Sequence, residues 1–132
     1  ASLFNEIGGN EKLEENASGF DEFEDGEYEA EIISAEWTKS KADIPMVKIE
    51  FGIAGKNVHI LDYLMFGHKE NDRQKVSQAV SRSVTKLREL GLERETITDY
   101  VQQLDKLEGT RLTLVLETSK SGFQNKHYEN VQ

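Results

Sequence analysis

The chain has 132 residues, enough for one domain with a hydrophobic core; 36% are hydrophobic and 31% charged. It has no cysteine, which excludes disulfides and thiolate metal sites, and no apolar run of membrane-spanning length. The net charge of −9 is unevenly distributed, because residues 1–31 contain eleven acids and one lysine, whereas the remainder contains 14 acids and 15 bases. The acidic balance therefore does not exclude a polyanionic partner for residues 32–132.

Residues 1–25 show no sustained hydrophobic period and are interrupted twice by glycine- and asparagine-rich stretches. We predict an acidic N-terminal arm over 1–25, followed by one domain over 26–132. The arm is either flexible or docked through its few apolar residues, among them Leu3, Phe4 and Ile7.

A first strand follows Gly26, with Tyr28, Ala30 and Ile32 alternating with glutamates. The apolar phase then shifts by one residue to Ile33, Ala35 and Trp37. A β-bulge in a bent strand produces such a shift, so we predict one at this point.

Residues 45–66 predict a long β-hairpin. Val47, Ile49, Phe51 and Ile53 alternate with polar residues or glycine, and residues 54–57 (AGKN) have turn chemistry. Pro45 suits the first position of a strand because it lacks an N–H. A second apolar run, 58–66, forms the other half of the hairpin.

The period becomes helical over residues 73–90, with Asp72 as the expected N-cap and Gly91 as the residue that ends the helix. A second short helix is predicted over 96–107, capped by Thr96 or Thr98. Two strands complete the chain, one opening at residues 109–110 and one over 123–132.

Three strands, a helical segment and two strands match the five-stranded oligonucleotide/oligosaccharide-binding (OB) barrel, in which a helix lies between strands three and four. We therefore predict a mainly β, OB-fold-like barrel. The alternative is another small α+β sheet with one covered face.

Enzyme chemistry finds little support in the sequence. His59, His68 and His127 lack metal-ligand spacing, no phosphate-binding glycine loop lies between a strand and a helix, and no nucleophile motif occurs. The expectation is a non-catalytic protein without a metal or another cofactor.

Nucleic-acid binding is better supported. In an OB barrel, a single strand crosses strands two and three between the loops that join strands one to two and four to five. Both loops combine an aromatic residue with lysines, and bases stack on aromatics while phosphates contact cations. We expect both loops to converge on one face, with three further contacts on the sheet between them. The predicted contacts are Trp37, Lys39, Lys41, Lys48, His59, Tyr63, Lys120, Phe123 and Lys126.

Simpler interpretations exist for several of these residues. Trp37 and Tyr63 could belong to the core, and the loop lysines could serve only solubility. A helix flank carrying Lys75, Arg82 and Lys86 is either a secondary basic patch or an ordinary solvated surface.

The motifs in residues 25–30 (DGEYEA), 37–41 (WTKSK), 45–49 (PMVKI), 87–92 (LRELGL) and 107–111 (LEGTR) resemble small phage and prophage single-stranded-DNA-binding proteins. The resemblance covers about residues 20–132 and implies an OB fold, coating of single-stranded DNA in phage replication and recombination, frequent dimers and a cytoplasmic location. This sequence departs from the family by ending at Gln132 without an acidic C-terminal tail. Either residues 20–25 (FDEFED) recruit replication or recombination proteins instead, or the natural chain is longer.

Two hypotheses of function follow. The first is a protein that binds single-stranded DNA, and by extension RNA, with little sequence preference, the two loops clamping the strand. The second is an acidic protein-interaction module or nucleic-acid mimic, which the charge of −10 in residues 1–31 favours. No membrane association is expected under either hypothesis.

Overall fold

The computed structural model describes residues 23–132, so residues 1–22 of the arm predicted over 1–25 lie outside the described residues. The elements are β1 Gly26–Lys39, β2 Pro45–Ile53, β3 His59–Met65, α1 Arg73–Glu89, α2 Ile97–Gln103, a 3₁₀ turn over Leu104–Leu107, β4 Arg111–Thr118 and β5 Gln124–Glu129. The prediction of a mainly β protein with a helical insertion between strands three and four is confirmed.

The five strands form one antiparallel sheet in the order β3-β2-β1-β4-β5. The strand β1 pairs with β4 through its first half and with β2 through most of its length. The sheet is open, because β3 and β5 are its two edges and no backbone ladder joins them in the described part of the chain. The predicted barrel is therefore not closed.

Side chains occupy the gap between β3 and β5, which we call the seam. Tyr128 on β5 contacts Asp62 on β3, and Lys86 on α1 contacts both side chains. The helix is fixed to β3 a second time by the Ser83 hydroxyl, which donates to the carbonyl oxygen of Met65. A helix and a polar cluster thus lie where a closed barrel would have backbone hydrogen bonds.

The predicted bulge is confirmed, since the register of β1 against β2 shifts between Ile32 and Ser34. The extra residue is Ile33, which is 44% exposed, so its predicted place in the apolar set is wrong. Its side chain lies over Gly52, where an added Cβ would come within 3.0 Å of Ile33 Cδ1. The buried phase resumes at Ala35.

The local signals around α1 are also confirmed. Asp72 Oδ1 accepts hydrogen bonds from the backbone N–H groups of Gln74 and Lys75, at 2.9 and 3.1 Å. Gly91 has a φ of +94°, and the Leu92 N–H donates to Leu87 across the helix end. Thr96 rather than Thr98 caps α2, by accepting from the Asp99 N–H at 3.1 Å.

The core lies between the inner face of the sheet and the helical insertion. Alternate residues of the strands provide one side of it, and the end of α1 with the following residues provides the other. Its least exposed large side chains are Phe51, Ile32, Ile49, Leu87, Leu114 and Val47. The opposite surface of β1, β2 and β3 faces away from this core, and we call it the outer sheet face.

Candidate nucleic-acid interface

Tyr63 and Lys48 lie side by side on the outer sheet face. They are direct partners in the β2–β3 register, and Tyr63 is 45% exposed. On the other side of Lys48, its Nζ lies 3.6 Å from Glu36 Oε1 of β1. The lysine is therefore partly neutralised, and the tyrosine ring is the more available of the two groups.

His59 also lies on β3, opposite Gly52, with its Nδ1 against Glu50 Oε2. Glu36 of β1 and Glu50 of β2 face this surface and lie next to Lys48 and His59, respectively. Glu31 of β1, which lies opposite Gly52, is a third acid there. Acidic side chains therefore lie among the predicted basic contacts of the outer sheet face.

Trp37, for which the sequence left open a place in the core or in the interface, is partly buried and partly exposed. Its ring meets that of buried Phe66 edge to face, with 5.3 Å between the ring centroids. The side chain nevertheless remains 37% exposed. One edge of the indole therefore belongs to the core, while the rest is accessible to a ligand.

The β1–β2 loop presents two lysines with different surroundings. Lys39 Nζ lies 3.4 Å from Asp43 Oδ1, and both side chains are mostly exposed. Lys41 is exposed and has no ion pair within residues 23–132. Exposed pairs contribute little stability, so Lys39 remains available to exchange its partner for a phosphate.

The β4–β5 loop presents Phe123, which is 74% exposed, next to exposed Lys120. Ser119 N donates to the Phe123 carbonyl at 2.8 Å, and Gly122 adopts a φ of +92°, which fixes the turn. The last strand begins at Gln124, one residue later than predicted, so Phe123 belongs to the loop.

Lys126 does not join the outer sheet face. It is the register partner of Leu116, which is buried, so it points to the inner side of β5. The two loops also lie at opposite ends of β1: Lys39 pairs with Pro45 at one end, and Gly26 pairs with Leu116 at the other. A ligand that contacts both loops would therefore have to extend along β1 or follow the curvature of the sheet.

The basic flank of α1 separates into two parts. Lys75 pairs with Glu70 before the helix. Arg82 and Lys86 instead line a cavity of about 230 Å³ together with Tyr63. The secondary basic patch and the outer sheet face therefore meet at the edge of β3.

Asp62 is a functional candidate that the sequence analysis missed. It is 7% exposed, lies on the inner face of β3, and accepts hydrogen bonds from Tyr128 and from Lys86 Nζ, the latter at 3.2 Å. Lys86 Nζ is also 5.1 Å from the centroid of the Tyr128 ring. Burial, followed by the nearby Asp62 charge, holds the pKa of Tyr128 well above its usual value. The sequence signal that could have identified Asp62 was a carboxylate midway between the apolar residues Ile60 and Leu64, at a position of β3 that shares their face.

The acidic segment enters the domain beside the β4–β5 loop. Asp25 accepts hydrogen bonds from the Thr118 N–H at 2.9 Å, the Thr118 hydroxyl at 2.8 Å and the Gln124 amide at 3.1 Å. These bonds, led by that of Gln124, hold the pKa of Asp25 below its ordinary value. The Gln124 amide also donates to the Phe23 carbonyl, so residues 23–25 are attached to β4 and β5.

A profile of the protein family described as "Protein of unknown function (DUF669)" matches residues 11–132. The chain belongs to the DUF669 family. A search of curated proteins finds no match to this DUF669 protein.

Two further observations concern the described residues of this DUF669 protein. Within 23–132, no group of three or more histidine or acidic residues is arranged to hold a metal ion. Neither helix in the same range is both long and apolar enough to cross a membrane.

Proposed function

We propose that this DUF669 protein binds single-stranded DNA through an OB-like surface, without catalysis and with little sequence preference. The observation that carries the proposal is the exposure of aromatic side chains. Trp37, Tyr63 and Phe123 are the large aromatics exposed in residues 23–132, and all three are predicted contacts. Exposed aromatic rings provide stacking surfaces that accept any base.

The neighbouring cations support the same function. Lys48 is the register partner of Tyr63, and Lys120 lies in the same loop as Phe123. Lys41, Arg82 and Lys120 are exposed and have no ion pair within the described range, which leaves them available for phosphates. Lysines that already face a carboxylate, such as Lys39 and Lys48, can exchange it for a phosphate when DNA arrives.

The strand order and the position of α1 also support an OB-like fold, in which the seam between β3 and β5 is bridged by side chains. By resemblance to phage single-stranded-DNA-binding proteins, the protein would coat DNA in the cytoplasm during replication and recombination. The same proposal includes three further properties: a homodimer, binding of RNA, and recruitment of replication proteins by residues 20–25.

An interaction module or nucleic-acid mimic is the second candidate, and one observation favours it. Glu27, Glu29 and Glu31 follow each other on one side of β1, and within residues 23–132 only Glu31 of the three makes an ion pair, with Arg111 Nε at 3.5 Å. This acidic row lies in the first half of β1, whereas Trp37 lies near the end of that strand, so a site for a basic partner and a DNA site can coexist.

Fluorescence anisotropy with labelled single-stranded and duplex oligonucleotides at several salt concentrations tests the proposal. We expect preference for the single strand and a decrease of log K with log salt of about 0.7 per phosphate contact, or a slope of about −3 to −4 for about five contacts. Equal affinity for duplex DNA, or binding that salt does not change, would contradict it. Tight binding to a basic protein with no binding to DNA would favour the mimic.

A further inference from the structure

A cleft lies along the seam, between the edge of β3 and the side of α1. Its volume is about 230 Å³, and Leu64, Met65 and Ala79 provide its apolar walls. Its polar groups come from three elements: Tyr63 on β3, Arg82, Ser83 and Lys86 on α1, and Asn125 on β5. A concave surface that combines apolar walls with a few polar groups can bind a small ligand.

Arg82 is the available cation in this cleft. It is exposed and makes no ion pair or hydrogen bond to any residue in 23–132. Lys86 is committed instead, because Asp62 accepts its hydrogen bond and the Tyr128 ring lies beneath it. A free guanidinium favours a phosphate, which it can bind through two parallel hydrogen bonds.

Tyr63 connects the cleft to the outer sheet face. It is 45% exposed, lies next to Lys48 on that face, and lines the cleft on its other side. An aromatic ring at a strand edge can hold a base while the phosphate of the same nucleotide reaches a cation on the neighbouring element. Here the neighbouring element is α1 and the cation is Arg82.

We infer that the cleft holds one nucleotide of the bound single strand, with its base against Tyr63 and its phosphate on Arg82. The strand would leave the outer sheet face across the edge of β3 and continue beside α1. Asp62 and Tyr128 act as positioning residues, because they fix Lys86 at the inner end of the cleft. The cleft is too small for a base pair, which favours single-stranded over duplex DNA. This inference rests on the proposed function.

The Arg82→Gln variant tests the phosphate contact, with Arg88→Gln as its matched control. Both changes remove one guanidinium from α1, but Arg88 does not line the cleft and its nearest acid is Glu93 at 3.9 Å. We expect Arg82→Gln to weaken binding of an oligothymidylate several-fold and to reduce the salt slope by about 0.7, whereas Arg88→Gln keeps the wild-type slope. Equal effects of the two variants would overturn the site.

Photocrosslinking tests the position of the base. An oligonucleotide carrying 5-bromodeoxyuridine is bound to the intact protein and irradiated, and crosslinked residues are identified by mass spectrometry. We expect crosslinks at Tyr63 that Arg82→Gln diminishes and Arg88→Gln retains. Crosslinks confined to other residues would overturn the placement of the base. If the wild-type protein binds no single-stranded DNA at all, the proposed function fails. If the wild-type protein binds and Arg82→Gln binds equally well, only the nucleotide site in the cleft fails.

Discussion

Tyr128 donates a hydrogen bond to Asp62 across the seam between the two edge strands. The ring of Tyr128 also packs against Phe51, with 5.6 Å between the ring centroids. Lys86 completes the cluster from α1. Three elements that are distant in sequence thus depend on one buried carboxylate.

The Tyr128→Phe variant should lose stability, because Asp62 is buried and would lose one of its two partners. A buried polar group left with unsatisfied hydrogen-bonding capacity costs about 1–3 kcal/mol. Urea unfolding measures the change. Tyr63→Phe is the matched control, since it removes a hydroxyl from a 45% exposed side chain and should leave the midpoint nearly unchanged. Equal stability of both variants would contradict a structural role for the bond.

Phe123→Ala should weaken DNA binding without changing the melting temperature. The side chain is 74% exposed, so its removal leaves no cavity. Loss of a stacking platform costs about 1–3 kcal/mol per base, which corresponds to several-fold to more than a hundredfold in affinity. Parallel measurements of affinity and melting temperature separate binding from folding. Normal affinity of the variant would remove Phe123 from the interface.

Trp37→Ala should affect both properties, because its ring contacts Phe66 and is also 37% exposed. We expect a lower melting temperature together with weaker binding. Trp37 is the single tryptophan of the chain, so its fluorescence in the unmutated protein should be quenched by DNA. A destabilised variant whose folded fraction binds normally, with no quenching in the wild type, would assign Trp37 to the core alone.

Neutralising the acidic residues of the segment 1–22 should tighten DNA binding at low salt. This segment contains six acids and one lysine and joins the domain at residues attached to β4 and β5. The six acids are Glu6, Glu11, Glu14, Glu15, Asp21 and Glu22. The gain from replacing them with amides should shrink as salt screens the competition. Weaker binding by this variant would indicate that the acids support the interface.

Asp25 should contribute stability that depends on pH. Its folded-state pKa is lowered from 3.8, so the contribution is fully present above the unfolded pKa and is lost as pH falls through the folded value. Asp25→Asn should therefore be less stable than wild type at pH 7, and the difference should diminish below about pH 4. Urea midpoints of both proteins at several pH values provide the test. A difference that is constant with pH would exclude the carboxylate as its source.

Local chemistry made much of the fold predictable. The bulge at Ile33 follows from a shift in the apolar phase, and the limits of α1 follow from Asp72 and Gly91, because each depends on residues close in sequence. The seam was not predictable in this way. It depends on a contact between Asp62 and Tyr128, which lies 66 residues later. It also depends on the position of α1, which lies where a closed barrel would have a pair of strands.

The candidate site shows the same division. The prediction of Phe123 as a loop contact came from the local combination of aromatic and basic residues. The proximity of Tyr63 to Arg82 was not visible, because it depends on how α1 lies against β3. Charge was also misjudged at Lys48, since its neighbour Glu36 comes from another strand and only the register places the two together.

The two free edges of the sheet each carry a charged side chain that points inward, Asp62 on β3 and Lys126 on β5. A strand from a second molecule that paired with the β3 edge would have to displace the groups that cover buried Asp62, and one that paired with the β5 edge would have to cover the charge of Lys126. Edge strands with inward-pointing charges resist such pairing, and so protect an open sheet from aggregation. Subunits that associate should therefore use other surfaces than these two edges.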